Sequence, residues 1–202
     1  MKTRIRVYDK KRIGLEEEHM LEMFSLLKED VAKSDIFRLR KEHAALFEVF
    51  GDDKLSKENE KLLLSALNNL SLKSIDKGNF TSLREILEAI FCLLHKIKPD
   101  LFPLTLFKDD GRPNLEYWVR YLHGRQINAA GTIIHPQVTH PRAPGHIACT
   151  IEYIKNTTSI LSHTYSPNWS TYAYKSCVFG LCEVLLWLNK DYFGDRCNGE
   201  NL

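Results

Sequence analysis

The apolar residues in the second half of the chain recur at helical spacing over three stretches. Between Leu83 and Leu94 apolar residues cover almost every side of a helix, a composition typical of the central helix of a bundle. A second amphipathic helix is predicted to begin near His146, and a third, long helix to end at Gly194. The polar segment Tyr165–Asn168 predicts a break between these last two helices.

Local signals predict where the central helix begins and ends. Lys77–Asn79 reads as a turn, and Ser82 precedes Glu85 by three residues, which is the spacing of a capping box. Pro99 and Pro103 follow the apolar run and predict its end, because proline lacks the backbone N–H that a continuing helix needs. We therefore expect the helix to start at Ser82.

Helical spacing also recurs in the first half of the chain. It predicts helices over residues 15–33, over Ile36–Phe50 with Gly51 as the closing residue, and after Ser56. A short helix is predicted at Asn114–Leu122. The segment from 124 to 145 is rich in glycine and proline and predicts one long loop, with some strand character that is compatible with a hairpin.

Helices joined without a series of alternating strands predict an all-α fold, a helical bundle. We assign residues 78–202 to the bundle and residues 1–77 to a helical N-terminal extension. This extension is expected to pack on the same core, because neither part alone can bury its apolar faces; a small separate lobe is the alternative.

Composition limits the classes of partner and the cellular location. The net charge is only +2 with histidine neutral, so no strong field points to nucleic acid or to a membrane surface. Five cysteines, an odd number, occur without a secretory signal, which predicts reduced thiols and a cytoplasmic protein. No apolar run is long enough for a membrane span, and no phosphate-binding glycine loop or other cofactor motif occurs.

The most chemically suggestive group is Lys155, Asn156 and His163, which we place at the predicted break before the last helix. A histidine transfers protons near neutral pH, a cation stabilises charge on an attacked phosphate, and an amide orients its neighbours. These three residues are therefore the candidate site, with helix capping and turn formation as the structural alternative.

This arrangement resembles the HEPN family of helical-bundle proteins, mainly over residues 82–192. The family pattern is a central apolar helix, a short aromatic helix, a late motif of Arg, a polar residue and a His, and a last helix rich in Leu and Trp. The resemblance implies a homodimer that binds RNA or cleaves it without a metal, in a toxin or defence system. Here Lys155 stands in place of the arginine. Seven residues lie between Lys155 and His163, and six lie between Asn156 and His163. A non-catalytic dimerisation or partner-binding module is therefore the competing hypothesis.

Three other residue groups offer alternatives. Arg38 to His43 matches the spacing of the same motif, but lies within an amphipathic helix and is interpreted as a solvated basic face. The aromatic residues of the short helix, with Arg120 and Arg125, suit base stacking but are better explained by packing. A further group contains residue types that bind zinc, although its spacing matches no known zinc-site pattern. A zinc site is therefore the alternative for His135, His140, His146 and Cys149.

Overall fold

The computed structural model describes residues 25–26, 36–71, 75–127, 133–135, 142–163 and 170–194. The chain divides into two compact units, Met1–Glu42 and His43–Leu202. In the first unit, residues 36–42 are helical. Most of the helix predicted over residues 15–33 lies outside the described part of the chain.

The second unit is built of helices, and the all-α prediction is confirmed. A two-stranded antiparallel ribbon pairs Gln126 with His135 and Ile127 with Ile133, which confirms a hairpin in the predicted loop. Two short 3₁₀ turns, Asn69–Ser71 and Leu104–Leu106, complete the described elements. In chain order, these are α1 Ala44–Phe47, α2 Lys57–Asn68, α3 Lys77–Ile97, α4 Leu115–Leu122, β1 Gln126–Ile127, β2 Ile133–His135, α5 Gly145–His163 and α6 Thr171–Tyr192.

Several helix ends follow the predicted signals. The Ser56 hydroxyl accepts a hydrogen bond from the backbone N–H of Asn59 at the start of α2, and Ser170 does the same for Ala173 at the start of α6. The helix predicted at 36–50 is interrupted at His43, whose backbone leaves the helical region. A new turn then begins at α1.

The start of α3 differs from the prediction. Asp76 accepts a hydrogen bond from the backbone N–H of Asn79, and the Asn79 side chain accepts one from the N–H of Asp76. This reciprocal pair is the true capping box, so the predicted turn Lys77–Asn79 is the first turn of the helix. Asparagine replaces the usual Glu or Gln of the motif, and for this reason the sequence pattern did not predict a capping box here.

The predicted capping box at Ser82 and Glu85 is therefore wrong. Ser82 lies inside α3, where its hydroxyl donates to the carbonyl oxygen of Gly78, one turn back. Serine and threonine can make this bond inside helices as well as cap them, so the residue type alone does not distinguish the two positions. The C-terminal prediction is confirmed, because α3 ends at Ile97 just before Pro99.

The core surrounds α3, which packs against α2, α5 and α6. The aromatic part of this core stacks Trp118 between Phe91 and Phe102, with ring centroids 4.4 and 5.3 Å apart. At the other side, the buried Tyr174 hydroxyl donates to the carbonyl oxygen of Ala66, which joins α6 to α2. These contacts place α1 and α2 in the same unit as the bundle.

The division between units thus falls after Glu42, whereas the predicted extension reached residue 77. Residues 43–71 pack with the bundle because the apolar side of α2 is buried by Leu63, Leu64 and Leu67 against α3. None of the described helices is long and apolar enough to cross a membrane.

Candidate functional site

A polar seam runs between α4 and the first half of α5. The Lys155 ammonium donates a hydrogen bond to one carboxylate oxygen of Glu116, and only 18% of the Lys155 side chain is exposed. The other Glu116 oxygen accepts from the Arg120 guanidinium at 2.8 Å. One carboxylate therefore bridges two cations, one from each helix.

This bridge affects the ionisation of Glu116. The hydrogen bond from Lys155 is the main cause that holds the pKa of the Glu116 carboxyl below its ordinary value of 4.5, and partial burial opposes it. Glu116 is therefore ionised at neutral pH. The seam is held by charge, whereas the other sides of α5 are held by apolar packing.

A second pair crosses the same seam almost two turns further along α4. Nε2 of His123 lies 3.1 Å from a carboxylate oxygen of Glu152. His123 is the C-cap residue of α4 and is half-buried, so its ring is held between the end of α4 and the middle of α5. A histidine oriented by a carboxylate can accept or donate a proton.

These side chains surround an open cleft of about 420 Å³. Its walls carry both charge signs, and its apolar part is contributed by Val119 and Ala148. The first residue of α5, Gly145, lies at one end. The lining residues are Glu116, Val119, Arg120, His123, Arg125, Gly145, Ala148 and Glu152.

The structure places the three predicted site residues along a single helix. Lys155 and Asn156 lie in the middle of α5, and His163 is its last residue, so the first two are not at a break as predicted. The helix continues past Asn156 because its buried side runs from Ile151 and Ile154 on to Thr158. The break residues 165–168 lie outside the described part of the chain.

Helix geometry determines how these positions relate. Asn156 is exposed, and His163 is seven residues further on, which is almost two full turns. The backbone positions of Asn156 and His163 are therefore on nearly the same side of α5, about 10 Å apart along its axis. Lys155 is rotated from that side towards α4, where it meets Glu116.

The aromatic group on α4 is part of the core, as interpreted from the sequence. Trp118 is fully buried between two phenylalanine rings and cannot stack on a base. The Tyr121 hydroxyl donates to the carbonyl oxygen of Leu101 at 2.6 Å. Arg120 and Arg125 instead line the cleft, on the opposite side of this aromatic packing.

The described residues do not form the zinc site that was the alternative interpretation. His146 and Cys149 are exposed in the first turns of α5, His135 is in β2, and His140 lies outside the described residues. Among the residues whose side chains are placed, no three His, Cys, Asp or Glu are arranged to hold a metal ion.

The Arg38–His43 group is divided by the boundary between the two units. Arg38, Arg40 and Lys41 are exposed, and Arg38 lies 3.9 Å from Glu42 across one helical turn. The interpretation as a solvated basic face fits this exposure.

The described cysteines, Cys92, Cys149, Cys177 and Cys182, are free thiols. Burial raises the pKa of Cys177 to about 11 and that of Cys182 to about 11, so both are unreactive at neutral pH. Cys177 is fully buried in the last helix, where its thiol packs as a small apolar side chain.

Comparisons of this chain with protein-family models, with curated proteins and with solved structures found no match. The site must therefore be interpreted from its own geometry.

Sequence reasoning missed Glu116, His123 and Glu152. The spacing of Glu116 and Arg120, four residues apart on a short helix, was a visible local signal for an ion pair. No comparable signal exists for His123 and Glu152, which are 29 residues apart and meet only because α4 packs on α5.

Proposed function

We propose that this chain is a HEPN-like helical protein that binds RNA along the side of α5 between Asn156 and His163, with metal-independent cleavage as the stronger form of this activity. The observation that supports the proposal is the continuity of α5. It aligns the amide of an exposed residue with the position of a histidine two turns away on one rigid element.

In this proposal His163 transfers the proton and Asn156 orients the phosphate or the histidine. Lys155 has a different role from the one expected of it. Its ammonium is bound to Glu116 and mostly covered, so it joins α4 to α5 and reaches a phosphate only by leaving that carboxylate. Cleavage then requires a cation from a second copy of the chain, or a conformation with RNA bound in which Lys155 has left Glu116. RNA binding without cleavage is therefore the more direct expectation.

The experiment incubates mixed RNAs with the protein in a metal chelator and measures both retention and fragment length. The parent is compared with His163→Ala and Asn156→Ala. His146→Ala is the matched control, because His146 is an exposed histidine at the opposite end of the same helix.

Loss of binding or cleavage in the first two variants, with the control unchanged, supports the proposal. RNA that is neither bound nor cut by the parent contradicts it. Equal cleavage by the parent and by His163→Ala points to a contaminating nuclease and also rejects the assigned role of His163.

A non-catalytic pairing module is the second candidate, and one observation favours it. Three large apolar side chains on α6 are exposed although they recur at seven-residue intervals: Tyr172 at 81%, Phe179 at 58% and Leu186 at 37%. Seven-residue spacing places them on one side of the helix, as in helices that pair with another helix.

This candidate predicts a dimer of the 23.4 kDa chain that does not depend on RNA. Light scattering on the parent and on Phe179→Ser measures the mass. Leu104→Ser is the control, because Leu104 is also exposed, at 69%, but belongs to the 3₁₀ turn Leu104–Leu106 and not to α6. A dimer weakened only by Phe179→Ser, together with no RNA activity, favours the module. A monomeric parent contradicts it.

A further inference from the structure

The α4–α5 cleft has the features of a small-molecule site that the proposed RNA function does not use. Its end at Gly145 lies eleven residues before Asn156, which is about 16 Å along the axis of α5. We propose that this cleft binds a small phosphorylated sugar, with the phosphate near Arg125 and Gly145 and the hydroxyl groups near Glu152.

The cleft is lined by two guanidiniums and by the carboxylates of Glu116 and Glu152, so the place of an anion depends on which of these groups are already paired. Arg120 and Arg125 both line it, while Glu116 is already bound to Lys155 and Arg120. The exposed Arg125 guanidinium forms no ion pair within the described part of the chain. An arginine with its donors free for a ligand matches the geometry of a phosphate through paired N–H groups.

The beginning of α5 adds to this preference. A 19-residue helix starts at Gly145 beside Arg125, and its first turn contains no acidic residue. The first N–H groups of a helix have no partner within the helix and carry partial positive charge. A side chain added at Gly145 would meet no atom within 4 Å, so the backbone at this end is open to a ligand.

The opposite wall explains why a sugar suits the rest of the cleft. The Glu152 carboxylate is 47% exposed and is fixed by His123, so it remains available to accept hydrogen bonds from hydroxyl groups. Val119 and Ala148 contribute only small apolar patches to this wall, since the two residues are 5% and 1% exposed. A volume of about 420 Å³ exceeds what a bare phosphate fills and lies within the range of pockets for small organic ligands.

The test measures binding of ribose 5-phosphate to the full chain by calorimetry. Gly145→Glu adds a carboxylate at the phosphate position, and an acidic residue at a helix start is compatible with folding. We expect this variant to weaken binding about tenfold or more, and Arg125→Gln to do so by a similar factor. Arg84→Gln is the matched control, because Arg84 pairs with Glu88 at 2.9 Å on α3 and does not line the cleft.

Parallel titrations with ribose, succinate and inorganic phosphate test the ligand class. The proposal expects ribose and succinate to bind much more weakly than ribose 5-phosphate, and inorganic phosphate to bind at an intermediate level. The proposal is overturned if ribose 5-phosphate does not bind at millimolar concentration, if succinate or ribose binds as tightly, or if Gly145→Glu and Arg125→Gln bind as well as the parent. If Gly145→Glu fails to fold in a thermal melt, Arg125→Gln decides alone. RNA binding is measured independently, so either proposal can fail without the other.

Discussion

Helix α5 meets α6 and α4 in different ways. Against α6 the contact is close and apolar, since a Cβ at Gly180 would lie only 2.8 Å from Cγ2 of Thr150 and 3.5 Å from Cδ1 of Ile154. Against α4 the contact is polar, with the ion pairs of Glu116 and Glu152 around an open cleft.

The difference shows how one helix serves two purposes. Close packing determines where α5 lies, because interior contacts leave no room for movement. The polar side contributes less to stability, because partly exposed ion pairs are weak. Its side chains are thus free to change partners, and this is where a ligand can bind without disturbing the fold.

The largest effect that separates the two sides is expected from Ile154→Ala. Ile154 is fully buried against α6, and the lost contacts and the cavity should lower the free energy of unfolding by about 2–5 kcal/mol. Urea denaturation measures the change. Tyr153→Ala is the control, because the neighbouring Tyr153 is 44% exposed. Equal losses in both variants would show that the α5–α6 contact is not the dominant one.

A smaller loss is expected from Gly180→Ala. Alanine normally stabilises a helix interior relative to glycine by about 1 kcal/mol. Here the added methyl overlaps Cγ2 of Thr150, and overpacking of this kind costs about 1–3 kcal/mol, so the net change should be destabilising.

The double variant Thr150→Ser with Gly180→Ala tests the cause, because serine lacks that methyl group. Denaturation should show recovery of most of the stability relative to Gly180→Ala alone. A stabilised Gly180→Ala variant would mean that the two helices separate easily.

The smallest change is expected on the polar side, from Glu116→Gln. This variant removes one carboxylate from a partly exposed ion-pair group, and the free energy of unfolding should fall by about 1 kcal/mol at neutral pH. The pKa of Glu116 is lower in the folded protein than its ordinary value of 4.5. The stabilisation is therefore complete above that value and is lost as the pH falls through the folded pKa.

Melting curves from pH 7 down to acid conditions measure this effect. The difference between the parent and Glu116→Gln should be present at neutral pH and shrink below about pH 4.5. Glu88→Gln is the matched control for an ordinary pair of residues four apart on a helix. A difference that grows in acid would show that Glu116 is not held by Lys155.

The sequence predicted the apolar side of this comparison better than the polar one. The helical spacing of Ile147, Ile151 and Ile154 was enough to place α5 and its buried side, because burial repeats with the helical period. The capping residue Ser56 was also recognised from local pattern, whereas Ser170 was one of two candidates, beside Asn168, for the start of α6. The start of α3 was misplaced because Asn79 takes a role more often filled by Glu or Gln.

The polar side could not be predicted in the same way. The pair of His123 and Glu152 depends on packing between distant segments. The placement of Lys155 at a break failed for a related reason, since the polar residues around Asn156 resemble a turn in sequence while buried Ile154 and Thr158 keep the helix intact. Periodicity describes one helix at a time and cannot report which ion pairs form between two.

The bond from the Tyr174 hydroxyl to the carbonyl oxygen of Ala66 connects residues 108 positions apart. During synthesis on the ribosome, α2, α3 and α5 therefore leave the exit tunnel before the helix that covers them. The apolar surfaces that α6 covers stay exposed until translation has passed α6, and nascent chains stalled before Tyr174 should be the ones that chaperones retain.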